Sequence, residues 1–298
     1  MRLAGSDLRL LSVFDAVVRH GGFAAAQTEL NIGPSTISNH ISALEERLGC
    51  TLCQRGRGGF RVTEKGQIVH AEAQKLLASI DGFSESVSTL RGKLVGTLRV
   101  GIVDAIATDG SSRLSETFGH YFGTPNGIHL EVRQLSPQDL LQRIYDGLID
   151  VGVGSFPNKL AGLTYEELYH ETHSLYFAMS HPLARRDIES VSVEDLAGFD
   201  VVGRGYWRDR MHGQLGLRNV KAIVYEIEPQ LILIRSGKFI GFLPDHFADH
   251  WVKQGVLGRL PLSEAGYGCS FELVYKKAPR QGRAVRKFID TVLEMHRS

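Results

Sequence analysis

Several short clusters combine residue types that bind metals, exchange electrons or grip phosphate. Cys50-Thr51-Leu52-Cys53 has the CxxC spacing of a redox pair or of half a zinc site. His246 and His250 stand four apart, which places two imidazoles on one face of a helix. His170-Glu171-Thr172-His173 offers a tighter pair, while Gly152-Val153-Gly154 and Gly203-Arg204-Gly205 are fragments of a phosphate-cradling loop. Each lacks a part. A CxxC site needs a thioredoxin-like turn or two further ligands at metal spacing, and the third cysteine, Cys269, is far along the chain. Neither completion is present. No Glu lies between His246 and His250, and the first histidine pair is one residue too short for the same arrangement; exposed or capping roles are expected for them. Neither glycine fragment has a third glycine, and no GxSxG elbow or P-loop occurs. No catalytic residue, metal or cofactor is expected, and nothing nominates an enzyme. The cluster that keeps its meaning is basic: Arg55, Arg57, Arg61 and Lys65 gather around Arg55-Gly56-Arg57-Gly58-Gly59, a turn suited to phosphate contact.

The elements that must carry this turn are short helices with tight stops. A first helix, about Ser6 to His20, has Leu10, Phe14 and Val17 at helical spacing and ends at Gly21-Gly22. A second, about Phe23 to Leu30, is alanine-rich and lets a neighbour pack closely. Gly33 then suits an N-cap and Pro34 the first helical position, where its missing N–H would have no partner anyway. The third helix has Ile37, Ile41, Leu44 and Leu48 facing inward, with Gly49 at a left-handed stop. Ser35, Thr36, Ser38, Asn39 and His40 are left for the outer face. Extended pieces near Thr51–Gln54 and Phe60–Val62 flank the basic turn.

A single long helix follows over about 63–91. Val69, Ala73, Leu76, Ile80, Phe83, Val87 and Leu90 alternate at spacings of four and three, the seam of a coiled coil over three heptads. Burial on its own domain is the plain reading of such a stripe. Between two domain-like segments, the seam points instead to a dimerisation helix. Beyond Gly92, β-rich runs (Thr97–Val103, Ile128–Gln134, Asp150–Val153, Ser174–Met179, Val201–Gly203, Ala222–Glu226, Ile240–Leu243, Ser270–Tyr275) alternate with helical stretches. Such alternation predicts a largely parallel sheet with ligand sites at the carboxyl ends of strands. The chain has 298 residues, enough for more than one domain, with 34 basic and 33 acidic side chains. That balance excludes a polycationic coat and an acidic disordered tail. Residues 1–66 hold eight Lys/Arg and six Asp/Glu, so placement of charge matters more than its total. The longest aliphatic run, Leu231–Ile234, is far too short for a membrane helix, no apolar signal core opens the chain, and three cysteines suit a reducing cytoplasm.

Helix, tight turn, helix and basic β-turn make a winged helix-turn-helix. The stretch Phe23-x-x-Ala26-x-x-x-Leu30, Ser35-x-x-Ser38-x-x-Ile41-x-x-Leu44-Glu45-x-x-Leu48-Gly49-x-x-Leu52, Arg55 and Val62-Thr63-x-x-Gly66 resembles the DNA-binding domain of LysR-type transcriptional regulators. His181-Pro182-Leu183-Ala184 and Gly237-Lys238-Phe239-Ile240-Gly241-Phe242-Leu243-Pro244 extend the likeness into an effector domain resembling type II periplasmic binding proteins. The resemblance covers essentially the whole chain. It departs at Gly33-Pro34-Ser35, where the family often has Ser-Gln-Pro, at Gln27 (often Ala), at Cys53 (often Phe) and at Asn39 (often Arg). Arg reads guanine and Asn fits adenine, so the target sequence is not carried over from relatives.

The resemblance implies an α/β chain in three parts: an all-α winged helix-turn-helix over 1–66, a linker and dimerisation helix over 67–91, and a two-lobed effector domain over 92–298. Lobe I takes about 92–164 and 267–298, and lobe II about 165–266. Ser35, Thr36, Ser38, Asn39, His40, Arg55 and Arg57 are the expected DNA contacts. Ser136-Pro137-Gln138-Asp139 opens a helix with Ser at the N-cap, Pro at N1 and an acid at N3, a start whose free N–H groups favour an anion. Together with Asp104, Ala105, Gly203, Arg204 and Tyr206, Ser136 is expected to form an effector cleft for a small anionic or aromatic compound, Arg204 pairing with its acidic group. The implied partners are double-stranded promoter DNA, the effector, further copies of the chain as homodimer or homotetramer, and RNA polymerase. The rival from another class is a small-molecule-binding or catalytic α/β protein with a degenerate DNA domain; sequence-selective binding to DNA upstream of its own gene separates the two.

Overall fold

A computed structural model describes residues 4–54, 59–90, 95–207, 219–261, 266–277 and 282–297. The chain divides into two compact units, Met1–Val87 and Ser88–Ser298.

The first unit is built from α1 (Gly5–Arg19), α2 (Phe23–Leu30), α3 (Pro34–Leu48), the two-residue strands β1 (Cys53–Gln54) and β2 (Arg61–Val62), and α4 (Glu64–Leu90). Its core joins Phe14, Val17, Ala26, Ile37, Ile41, Leu44 and Leu52, all essentially shut off from water. Pro34 occupies the first turn of α3, and Gly49 ends that helix at φ 68°, a left-handed conformation that costs glycine nothing sterically. The helix α4 divides along its length. Ala73 is buried in the unit's own core and Val69 and Leu76 pack against it, whereas Phe83 is 71% exposed and Val87 38%. The heptad stripe is thus intramolecular packing at Val69, Ala73 and Leu76 and open surface at Phe83 and Val87. Asp15 of α1 fixes the buried half, accepting from His70 Nε2 at 2.9 Å and Gln74 Nε2 at 3.2 Å while also pairing with Arg19 at 2.8 Å. Burial works against the Asp15 charge, but these partners win and hold its pKa at about 2.

The second unit is organised by one sheet in the order β4-β3-β5-β11-β6-β9-β7-β8, with β10 on β6. Lobe I contains β3 (Val95–Ile102), β4 (Gly127–Gln134) and β5 (Val151–Gly154) with helices α5 (Leu114–Phe122) and α6 (Pro137–Tyr145). Lobe II contains β7 (Asp200–Arg204), β8 (Val220–Val224), β9 (Phe239–Pro244) and β10 (Leu257–Arg259) with α7 (Ile227–Arg235) and α8 (Asp245–Lys253). The last helix, α9 (Arg283–Arg297), packs back on lobe I through Phe288. Pairing within each lobe is parallel at β3–β4, β3–β5, β7–β8 and β7–β9. The sheet as a whole is mixed rather than largely parallel, because β6 (Leu163–Ala178) and β11 (Tyr267–Lys276) run antiparallel to each other and to their neighbours. These two strands cross between the lobes.

The glycine fragment on β5 has a packing explanation. A Cβ on Gly152 would stand 2.6 Å from Ile144 Cδ1, and one on Gly101 of β3 would stand 2.2 Å from Leu140 Cδ1. Missing side chains let α6 lie close on the sheet. Among the described residues, no helix is long and apolar enough to cross a membrane.

Candidate functional site

In the first unit the outward face of α3 is polar. Ser35, Thr36 and Asn39 are exposed, Ser38 and His40 half-buried, and Ile37, Ile41 and Leu44 point to the core. The four- and three-residue spacing of those three apolar side chains leaves Ser35 and Asn39 together on the open side. Behind this face, Glu45 fixes the start of the wing: one carboxylate oxygen accepts the backbone N–H groups of Leu52 at 2.7 Å and Cys53 at 3.2 Å. Thr63 closes the other end, donating to the Thr51 carbonyl at 2.7 Å and accepting the Gly66 N–H at 2.9 Å. Phe23 and Phe60 meet edge to face at 5.7 Å between ring centroids. Arg55, Arg57 and the Leu90 side chain lie outside the described residues. Cys50 and Cys53 are free thiols, with Cys53 buried in the apolar core.

The second unit has a cleft of about 650 Å3 between the lobes, lined by Ser136–Asp139, Asp104, Gly205, Tyr206, Tyr225 and Glu226. Beneath it is an inner cavity of about 30 Å3. Asp104, Pro137 and Tyr206 line both. Ala105 lines the inner cavity and adopts φ 65°, a left-handed backbone that only a few per cent of non-glycine residues take. Gly203 is buried within β7, its backbone paired with β8, and it lines neither space.

Ser136 caps α6 as its sequence foretells. Its hydroxyl accepts the Asp139 N–H at 3.2 Å and donates to Asp139 Oδ2 at 2.8 Å, so its proton is already committed inside the helix start. Arg204 is committed as well. Its Nη2 donates to both oxygens of Asp104, at 2.6 and 2.8 Å, and its Nε donates to Tyr206 Oη at 2.7 Å. Asp104 Oδ2 also accepts the Ile227 N–H at the start of α7, at 2.6 Å. A lobe I carboxylate therefore occupies an anion site that lobe II builds from a guanidinium and a helix N-terminus. Arg204, expected to pair with the effector's acidic group, is buried and already paired with the protein's own acid. Burial opposes its charge, yet the oxygens of Tyr206 and Asp104 hold its pKa above the ordinary arginine value. Among the described residues, two polar atoms at the inner cavity have no hydrogen-bond partner, Arg204 Nη1 and Gln230 Oε1.

The crossing strands add residues that the sequence reading left outside the cleft. Glu171 and His173 of β6 and Tyr267 and Cys269 of β11 line the inner cavity. Glu171 accepts from His246 Nε2 at 2.7 Å, and the other ring nitrogen, Nδ1, meets Thr108 Oγ1 at 2.8 Å. His246 is thus inward-facing and half-buried rather than an exposed or capping histidine; His250 is exposed. Burial raises the Glu171 pKa and lowers that of His173 to about 3. The alternation along β6 could have marked Glu171 and His173, since residues two apart share a face, but only with the strand itself recognised.

A helix-turn-helix with a wing, followed by a bilobal domain with a charged cleft at the crossing of two strands, defines a ligand-responsive DNA-binding regulator. The comparisons agree. Residues 8–67 match the bacterial regulatory helix-turn-helix proteins of the lysR family, and residues 91–297 match the LysR substrate binding domain. The chain belongs to the LysR family of transcriptional regulators. It is 33% identical over 290 residues to the HTH-type transcriptional activator BauR of Pseudomonas aeruginosa, covering 96% of this chain and 94% of that one. In fold it is similar to full-length CbnR in complex with its target DNA, with a TM-score of 0.68, 17% identity and coverage of 98% and 100%. ArgP from Mycobacterium tuberculosis gives a TM-score of 0.61 at 19% identity, covering 99% and 98%. The relatives are regulators, which places this chain with them and not among enzymes.

Proposed function

We propose that the regulator reads promoter DNA through Ser35, Thr36, Ser38, Asn39 and His40, with Arg55 and Arg57 on the phosphates, and that a small anionic effector in the interlobe cleft sets its output. The observation that carries the effector reading is the pair of buried, unpartnered atoms at the inner cavity, one donor on Arg204 and one acceptor on Gln230. A ligand with a carboxylate or similar anionic group and a nearby hydroxyl or amino group satisfies both, and its anion competes with Asp104 for the guanidinium. Its remaining bulk has room in the larger cleft, beside Ser136 and Tyr206. A thermal-shift screen of organic acids is expected to find compounds that stabilise the wild type and leave Arg204→Lys unmoved, because a point charge does not replace the planar fork of donors. Equal shifts in both proteins would move the effector elsewhere.

For DNA, Asn39→Ala is expected to lose about 1–3 kcal/mol of discrimination between operator and scrambled sequence. Titration of both DNAs at fixed salt checks this, and an unchanged ratio rejects Asn39 as a base-reading residue. Pairing of chains is assigned to the outer half of α4, where Phe83 and Val87 are exposed. The buried Val69, Ala73 and Leu76 serve the unit's own core. Phe83→Asp is therefore expected to leave the single chain folded, dissociate it in sedimentation, and weaken operator binding by about 10²–10⁴-fold as two linked heads become one. An unchanged assembly would show that this seam is not required. Two such dimers making a homotetramer, contact with RNA polymerase, and action in the cytoplasm complete the reading.

A further inference from the structure

We propose that the crossing strands carry a binding site for a divalent transition-metal ion of the zinc class, formed by Glu171, His173 and Cys269. Glu171 and His173 lie two apart on β6 and so face the same side. Cys269 stands directly opposite Glu171 in the β6–β11 register. One donor atom from each lies within 4.8 Å of the other two. Cys269 Sγ is 3.7 Å from Glu171 Oε1 and 3.9 Å from His173 Nδ1. Ligands about 2.0–2.3 Å from a tetrahedral ion are separated by roughly 3.3–3.8 Å. His173 Nε2 is 3.2 Å from Glu171 Oε1 while its Nδ1 faces Cys269, so the imidazole must turn to present one nitrogen to the ion.

The surroundings resemble the outer shell of a metal centre. The second oxygen of Glu171 is held by His246, whose far nitrogen is fixed by Thr108, and Asp109 Oδ2 lies 3.6 Å from the same imidazole. The His173 ring is stacked on Tyr267 at 4.5 Å and 9°, which sets its plane. Such partners orient ligands and raise their donor strength. Water has little access, since the side chains of Glu171 and His173 are 3% and 12% exposed. The nearby guanidinium of Arg204 is offset by Asp104, leaving the carboxylates of Glu171 and Asp109 and a metal-bound thiolate to balance a dication. The inner cavity of about 30 Å3 has room for one water as a fourth ligand. Thiolate, imidazole and carboxylate together select a borderline ion over magnesium or calcium. An ion there would bind both crossing strands and, through His246 and Asp109, reach both lobes. The residues that hold the ion differ from Arg204 and Gln230, which hold the effector, although both sets line the same inner cavity.

Cobalt(II) is the probe, titrated into the full-length chain carrying Cys50→Ala and Cys53→Ala, so that Cys269 is the remaining thiol. One equivalent per chain with a thiolate-to-cobalt charge-transfer band is expected, and Cys269→Ser is expected to abolish that band. His246→Gln should keep the band and weaken binding by about 10–100-fold. Circular dichroism of each metal-free variant checks that it is folded. Should the double alanine variant fail to fold, zinc competition with a chelator compares the wild type with Cys269→Ser and His173→Gln. Absence of the band, or affinity indifferent to Cys269→Ser and His173→Gln, overturns the site and leaves the cluster as a hydrogen-bond network; the effector reading is untouched, because Arg204 and Gln230 are tested by organic acids.

Discussion

Arg204→Met is expected to destabilise the effector domain by about 3–5 kcal/mol, the usual penalty for removing one partner of a buried ion pair. The two side chains are only 8% and 12% exposed, and Asp104 would be left in the protein interior with the Ile227 amide as its remaining described donor. Asp104→Leu made together with Arg204→Met is expected to recover much of the loss, because an apolar pair of similar volume removes the stranded charge. Urea unfolding of the effector domain measures all three proteins. A loss below about 1 kcal/mol in Arg204→Met would mean that the pair is hydrated and weak, like a surface ion pair. The double variant also separates stability from signalling: it should be folded and blind to anions.

The second large effect is expected at Gly66. Replacing a glycine inside a helix by alanine ordinarily stabilises by about 1 kcal/mol. Here the sign reverses. A Cβ on Gly66 would lie 2.0 Å from the Leu52 carbonyl oxygen and 2.8 Å from Val62 Cγ1. That carbonyl cannot swing away cheaply, because it accepts the Thr63 N–H at 2.9 Å and belongs to the segment that Glu45 ties down. Gly66→Ala is expected to cost at least about 2 kcal/mol in the DNA-binding unit. The DNA-binding unit should unfold at lower denaturant and operator affinity should fall, with effector-domain stability unchanged. A variant as stable as the wild type would show that wing and helix can separate without loss.

The DNA-binding unit is legible in the sequence because its rules are local. Ile37, Ile41 and Leu44 announce the buried face of α3, Pro34 its start and Gly49 its end, and the structure has each in that place. Ser136 is equally readable, since an N-cap and its third residue are neighbours in the chain. Two things were not. The first eleven residues of β6, Leu163–His173, are missing from the predicted strands because their alternation slips at Glu166-Glu167, close to where the β6–β11 register shifts. With that stretch unread, Glu171 and His173 had no face to belong to, and His246 looked like a surface residue. The Asp104–Arg204 pair spans 100 positions and depends on lobe placement, which periodicity does not encode. The stripe on α4 shows a different gap. Its described positions follow one pattern in sequence, but Val69, Ala73 and Leu76 pack inward while Phe83 and Val87 are exposed.

The close seat of α6 on lobe I has a mechanical meaning. With Gly101 and Gly152 beneath Leu140 and Ile144, the helix rests on backbone and has no cushion of side chains to compress. Ser136, at the mouth of the 650 Å3 cleft, therefore belongs to a fixed jaw. Tyr206, Tyr225 and Glu226 stand on the opposite jaw, which lobe II carries. On the proposed reading, a ligand gripping both is expected to report its arrival as displacement of the second jaw against the first, with the crossing strands as the axle between them.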